Sequence, residues 1–97
     1  MKAKKAYIYW THPSHTYKKI PIGVRYCPHL VRTDDCAQEH WSVCFAITEE
    51  NYAQEGPIEV TMLIDNDATR TFFETLTTNT TFFLFEGCTE VAKGRIL

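Results

Sequence analysis

Short segments in which apolar and polar residues alternate recur along this sequence and limit its fold more than any other feature. The clearest spans residues 40–48, where Trp41, Val43, Phe45 and Ile47 share one face of a strand. Five more segments predict strands, by alternation or by their aromatic and β-branched residues: 6–10, 25–32, 58–64, 80–85 and 89–97. Six short strands and little helix predict a small barrel or a sandwich.

Two segments need separate comment. Residues 25–32 contain Pro28, which cannot donate a ladder hydrogen bond and so predicts an edge or a bulge there. Residues 68–76 predict one short helical turn with Phe72, Phe73 and Leu76 packed inward. The chain has 97 residues and no dividing linker or internal repeat, so we predict one domain spanning 1–97.

Motifs of known enzyme classes are missing from the sequence. It has no phosphate-binding Gly-x-x-x-x-Gly-Lys-Ser/Thr loop, nucleophile elbow, zincin helix or kinase signature. We therefore predict a non-enzymatic protein that uses no cofactor and binds no GTP. The formal net charge of −2 gives no general basic footprint, so any contact with nucleic acid has to be local.

The cellular location is predicted from two absences. No apolar run approaches the roughly 18 residues of a membrane span, and MKAKKAYIYW lacks the apolar core of a signal peptide. We predict a cytoplasmic protein that does not contact a membrane. Since cytosolic thiols are kept reduced, we expect free thiols at all cysteines: Cys27, Cys36, Cys44 and Cys88.

Cysteine and histidine are concentrated between residues 27 and 44. Cys27 with His29 and Cys36 with His40 form two pairs that a tetrahedral zinc ion can use, so a small zinc-stabilised β protein is one hypothesis. Buried thiols that act as small apolar side chains are the simpler interpretation, and we predict no metal site. A cysteine nucleophile with a histidine base is a third alternative, although nothing in the sequence orients such a pair.

Aromatic residues lie near basic ones in the first quarter of the chain. This interleaving suits base stacking or contact with a protein partner, although aromatic residues also fill a small β core. The residues are Tyr7, Tyr9, Trp10, Tyr17 and Tyr26.

The C-terminal segment carries a resemblance to a known family. Its pattern Phe-x-Leu-x-Glu-Gly-x-x-x-Val-x-x-Gly-x-Ile resembles the end of the third domain of bacterial elongation factor Tu. The matching residues are Phe82, Leu84, Glu86, Gly87, Val91, Gly94 and Ile96. RYCPHLVR at 25–32 and KKAYIYW at 4–10 are similar to that domain's second and opening strands. The resemblance covers residues 4–97.

The resemblance implies an all-β fold, a six-stranded antiparallel β-barrel, and contact with RNA. In the family, the Glu-Gly turn and the strand after the proline touch the tRNA T-stem, which implies Glu86, Gly87 and His29 as contact residues. The nucleotide-binding domain of the family is not in this sequence, so we expect a stand-alone barrel and not a translation factor.

The sequence thus predicts a non-enzymatic binding domain that engages a protein or RNA partner through one barrel face. The alternative is an RNA-binding module that contacts phosphates through basic residues: Lys18, Lys19, Arg25, His29 and Arg32. The match assigns Phe82 and Leu84 to the barrel interior, which leaves Phe83 and Phe85 as candidate exposed apolar contacts.

Overall fold

The structure, a computed structural model, describes residues 3–11, 23–33, 39–48 and 57–97. Within these ranges the chain forms a 7-stranded sheet and one helix. The elements are β1 Lys4–Trp10, β2 Arg25–Tyr26, β3 His29–Val31, β4 Trp41–Ala46, β5 Ile58–Met62, α1 Asp67–Glu74, β6 Thr81–Glu86 and β7 Thr89–Ile96.

The sheet closes on itself. Every strand pairing is antiparallel, and the order β4-β3-β6-β7-β1-β5 returns to β4 through a β4–β5 pairing. Strand β2 is additional and pairs with β4. Closure leaves these six strands without an open edge that another chain could extend. The six-stranded antiparallel barrel expected from the sequence is confirmed.

The strand expected over residues 25–32 is divided in two. Tyr26 lies opposite Phe45 and His29 opposite Ser42, so β2 and β3 follow one register along β4. Between them, Pro28 has no N–H to donate, while its carbonyl accepts a hydrogen bond from the Val43 N–H at 3.1 Å. The proline therefore interrupts the strand without shifting its register, so the expected edge or bulge is wrong: β3 lies between β4 and β6, and no extra residue is inserted.

The barrel interior holds the apolar faces predicted by alternation. Val43, Phe45 and Ile47 of the 40–48 segment are buried, and Trp41 packs half-buried against them. Buried partners from the other elements are Ala6, Ile8, Trp10, Leu30, Ile58, Val60, Met62, Phe73, Leu76, Phe82, Leu84, Val91, Ala92 and Ile96. Ile64 departs from the expected pattern, because β5 ends at Met62 and the Ile64 side chain is 59% exposed.

Helix α1 confirms the helical turn expected near residues 68–76. Asn66 caps it by accepting a hydrogen bond from the Thr69 N–H, while the Thr69 hydroxyl accepts one from the Asn66 N–H, both at 2.9 Å. At its other end, Lys4 Nζ donates to the Phe73 carbonyl at 2.5 Å and to the Leu76 carbonyl at 2.8 Å. Burial of the Lys4 ammonium lowers its pKa, an effect that Glu74 opposes. The helix therefore docks beside the start of β1.

The opposite end of the barrel carries the β6–β7 turn. Its first central residue, Gly87, has φ of 60°, a conformation that favours glycine. Further along β7, the face of Gly94 lies against the Phe82 ring, so a Cβ at position 94 would overlap that ring. Among the described residues, no helix is both long and apolar enough to cross a membrane.

Candidate functional site

The outer surface of β1, β7 and β6 combines aromatic and basic side chains. Tyr9 lies opposite Lys93, and Lys93 lies opposite Phe83 on its other side. One step along the strands, Tyr7 lies opposite Arg95. We call these five residues the aromatic–basic face.

Strict alternation places these side chains outward. Along β1, Tyr7 and Tyr9 alternate with residues of the core, and along β7 Lys93 and Arg95 do the same. The buried positions between them are Ala6, Ile8, Trp10, Ala92, Gly94 and Ile96. Tyr9 is 42% exposed and Lys93 is exposed, while the other members of the face are half-buried.

Cations lie over two of the aromatic rings. Lys93 Nζ is 5.7 Å from the centroid of the Phe83 ring, and the guanidinium carbon of Arg95 is 5.6 Å from that of Tyr7. Both distances fall within the about 6 Å over which a cation is attracted to a ring face. Arg95 Nη1 also donates to Asn79 Oδ1 at 3.1 Å, which fixes the guanidinium from a second side.

The charge of the face is positive although the chain as a whole is negative. Lys5 projects outward two residues before Tyr7 and adds to the charges of Lys93 and Arg95. Carboxylates lie at its margins: Glu59 on β5 is opposite Lys5, and Glu90 near the β6–β7 turn accepts a hydrogen bond from a threonine hydroxyl. Among the described residues, neither the row of Tyr9, Lys93 and Phe83 nor the row of Tyr7 and Arg95 contains a carboxylate.

The site residues implied by the family resemblance lie elsewhere. Glu86 and Gly87 form the turn end of β6, and His29 lies nearby, opposite Phe85. The Glu86 carboxylate accepts a hydrogen bond from the Tyr26 hydroxyl. Burial and then that bond raise the pKa of Tyr26. Glu86 is therefore engaged within the chain.

The predicted basic contacts do not form one surface. Arg25 is exposed on β2, next to Tyr26, whose hydroxyl contacts Glu86 at the turn end of the barrel. Arg32 Nη1 donates to Thr75 Oγ1 at 3.2 Å, at the helix end of the barrel. Lys18, Lys19 and Tyr17 lie outside the described residues. The two predicted arginines therefore lie at opposite ends of the barrel.

The two phenylalanines expected to be exposed differ in their surroundings. Phe83 is half-buried and belongs to the aromatic–basic face. Phe85 is only 3% exposed, so its predicted role as an exposed contact is wrong. His40 directly precedes β4. Its ring centroid lies 5.8 Å from that of Phe85, so the His40 ring covers part of the Phe85 ring. Phe82 and Leu84 lie in the core as expected.

The expectation of reduced thiols is also wrong. Cys27 and Cys44 form a disulfide with Cα atoms 4.2 Å apart, and Cys88 is disulfide-bonded as well. The shared register of β2 and β3 along β4 puts Cys27 directly across from Cys44. No described cysteine is a free thiol. Cys36 lies outside the described residues.

The disulfide changes the sequence hypotheses for the cysteine and histidine cluster. A sulfur bonded to sulfur is not the thiolate that zinc binding or nucleophilic attack requires, so Cys27 serves neither the proposed Cys27–His29 zinc pair nor a Cys–His catalytic pair. No group of three or more His, Cys, Asp or Glu residues suited to a metal occurs in the described part of the chain.

Sequence reasoning missed Lys93 and Arg95. The sequence of the last strand could predict that Lys93 and Arg95 point outward. Their position beside Tyr7 and Tyr9, however, depends on pairing between the first and last strands. Nothing local in a sequence specifies such a long-range pairing.

Comparisons with models of known families, with curated proteins and with solved structures found no match to this chain. The resemblance to the elongation factor Tu domain stays a prediction.

Proposed function

We propose that this chain is a non-enzymatic binding domain that holds single-stranded nucleic acid on the aromatic–basic face. The observation that carries the proposal is the row formed by Tyr9, Lys93 and Phe83 on three adjacent strands, with Arg95 and Tyr7 in the next row. Proteins that bind single strands combine aromatic platforms for the bases with cations for the backbone, often on a sheet surface.

The spacing of the face suits an extended strand. Neighbouring β-strands are about 4.8 Å apart, so Tyr9 and Phe83, separated by β7, lie about 10 Å apart at their Cα atoms. Lys93 occupies the interval between them. With a base on each ring, the Lys93 ammonium would move off the Phe83 ring to the phosphates that connect the two bases. Base stacking on an aromatic side chain contributes about 1–3 kcal/mol per base.

The charge of the face favours nucleic acid over a protein partner. Tyrosine and arginine are common at the centres of protein interfaces, but lysine is depleted there. A central lysine with carboxylates confined to the margins instead suits a polyanion. Protein binding is an alternative outcome of the experiment below.

The test is fluorescence anisotropy with labelled oligouridylate and oligodeoxythymidylate, titrated with the whole disulfide-bonded chain over a salt series. We expect Tyr9→Ala to weaken binding by about 5-fold to 150-fold, the equivalent of one lost stacking contact. Contacts from Lys5, Lys93 and Arg95 give a log–log salt slope of about −2, and Lys93→Ala reduces it by about 0.7.

Matched controls lie off the face. Val24 is 43% exposed, close to the 42% of Tyr9, and Arg25 is an exposed cation on β2. Val24→Ala and Arg25→Ala should leave affinity and salt slope unchanged. No binding at low salt, or equal losses in the control variants, would refute the proposal. If a protein binds at Tyr9 and nucleic acid does not, protein recognition replaces the proposal of nucleic-acid binding.

The cellular location is a second subject on which sequence and structure point to different compartments. The sequence predicts the cytoplasm, but the Cys27–Cys44 disulfide favours an oxidising compartment, since cytosolic glutathione keeps thiols reduced. Alkylation of thiols at cell lysis, followed by mass spectrometry, separates the two: unmodified Cys27 and Cys44 indicate an oxidising compartment, and alkylated ones indicate the cytoplasm.

A translation-factor-like origin is a separate proposal and has its own support. The Phe82–Gly94 contact explains physically why two positions of the family-like pattern occur together. RNA contact through Glu86, Gly87 and His29, as the resemblance implies, would leave binding insensitive to Tyr9→Ala. The anisotropy experiment therefore distinguishes that surface from the aromatic–basic face.

A further inference from the structure

A pair of histidines lies on the outer surface of the barrel, beside β6 but outside the aromatic–basic face. His29 begins β3 and His40 directly precedes β4. Their Nδ1 atoms are 3.3 Å apart while their ring centroids are 5.4 Å apart, so the Nδ1 edges of the two rings face each other. Both side chains are half-buried, which leaves the pair accessible from solvent.

We propose that His29 and His40 form a zinc-binding site in which two imidazole Nδ1 atoms and water molecules complete a tetrahedron. Zinc–nitrogen bonds of about 2.0–2.1 Å at the tetrahedral angle separate two ligand nitrogens by about 3.3–3.4 Å. The observed separation is 3.3 Å. A right-angled pair, as in square-planar copper or nickel sites, would be about 2.8–3.0 Å apart at the same bond length.

The ring positions fit the same geometry. Two imidazoles on one tetrahedral zinc place their ring centroids about 5.2 Å apart, taking about 1.1 Å from centroid to nitrogen. The observed centroid distance is 5.4 Å. Without metal, the two Nδ1 atoms share a hydrogen bond across the same 3.3 Å, in which the donor depends on the tautomer.

The surroundings hold both rings in place. The Cys27–Cys44 disulfide fixes the register of β2 and β4 two residues before His29. On the other side, the His40 ring packs against the buried Phe85 ring. Ligands held in advance lose less conformational entropy when a metal binds. Water in the remaining positions makes this an open site, unlike a closed four-ligand structural zinc site.

The experiment is calorimetric titration of the oxidised chain with Zn²⁺ in the absence of reductant. We expect one Zn²⁺ per chain and a loss of affinity of roughly tenfold or more in His29→Gln and in His40→Gln. The sequence offers matched controls in His12 and His15, and His12→Gln and His15→Gln should bind as the native chain does. Absence of zinc binding, or losses confined to the control variants, would overturn the proposal.

A second measurement does not depend on how the variants fold. Histidine ring resonances of the native chain are followed by NMR as Zn²⁺ is added. Selective shifts of His29 and His40 support the site, and shifts confined to His12 and His15 contradict it. Co²⁺ substitution gives intense visible absorption for a tetrahedral site, and a weak octahedral spectrum would overturn the assigned geometry.

Discussion

Two outer surfaces of this barrel are built in opposite ways. The aromatic–basic face on β1, β7 and β6 is held by cation–π contacts that leave Tyr9 and Lys93 exposed. The surface on β2, β3 and β4 is closed by the Cys27–Cys44 disulfide and by burial of Phe85 beneath His40. The Cys27–Cys44 bond and the exposed aromatic and basic groups therefore lie on different surfaces, so we expect stability and the proposed binding to change separately.

The largest expected effect comes from removing the disulfide. It joins residues 17 positions apart, a separation for which loop-closure entropy gives about 3 kcal/mol of stability. We expect the double substitution Cys27→Ala/Cys44→Ala to lower the free energy of unfolding by about that amount in urea denaturation.

The same variant tests whether the two surfaces are independent. Below its unfolding transition, it should bind oligonucleotide with the affinity of the native chain. A parallel loss of affinity at temperatures where it is fully folded would show that the disulfide also shapes the aromatic–basic face.

The next effect lies beneath the aromatic–basic face itself. Gly94→Ala puts a methyl group into the Phe82 ring and should destabilise the chain by about 1–3 kcal/mol. It should also displace the neighbouring Lys93 and Arg95 and weaken binding. In a double-mutant cycle, Phe82→Leu should recover part of the loss, and strict additivity would contradict the overlap.

Gly87→Ala is the control for that substitution. Among the described residues, no atom lies within 4 Å of a Cβ added at Gly87, and its positive φ of 60° opposes a side chain at about 1–2 kcal/mol. Phe82→Leu should give no recovery in the Gly87→Ala background.

The smallest effect concerns the Tyr26–Glu86 contact at the turn end. Burial and hydrogen bonding raise the pKa of Tyr26 in the folded chain, so the folded state retains a proton that the unfolded state loses above about pH 10. The stability from this group is complete below that pH and is lost as pH rises further. Tyr26→Phe should cost about 1 kcal/mol at neutral pH and flatten the decline above pH 10. Unchanged alkaline slopes in urea denaturation would contradict the contact.

Much of the barrel could be predicted because strand alternation is a local signal. Residues 40–48 specify their own inward face, and the helical turn predicted at 68–76 is present as α1. At Pro28 the sequence predicted an edge or a bulge, but the missing N–H of proline only divides the strand and leaves its register unchanged. The family-like pattern placed Phe82 and Leu84 inward, where the structure has them.

The candidate site depends on contacts that no local pattern determines. Tyr9 and Lys93 become neighbours only when the first and last strands pair across the closed sheet. Likewise, the segments with Cys27 and Cys44 were predicted as strands, but no turn between them specified the register that makes a disulfide. The expectation of reduced thiols came from the predicted compartment and not from geometry, and it was wrong.

The most direct test of the binding surface is NMR mapping of backbone amides during titration with a short single-stranded oligonucleotide. The shifts should cluster at Tyr7, Tyr9, Phe83, Lys93 and Arg95 on β1, β6 and β7, with little change around Cys44 on β4. Shifts centred on β2 and β4, or spread evenly over the barrel, would contradict the assignment of recognition to the aromatic–basic face.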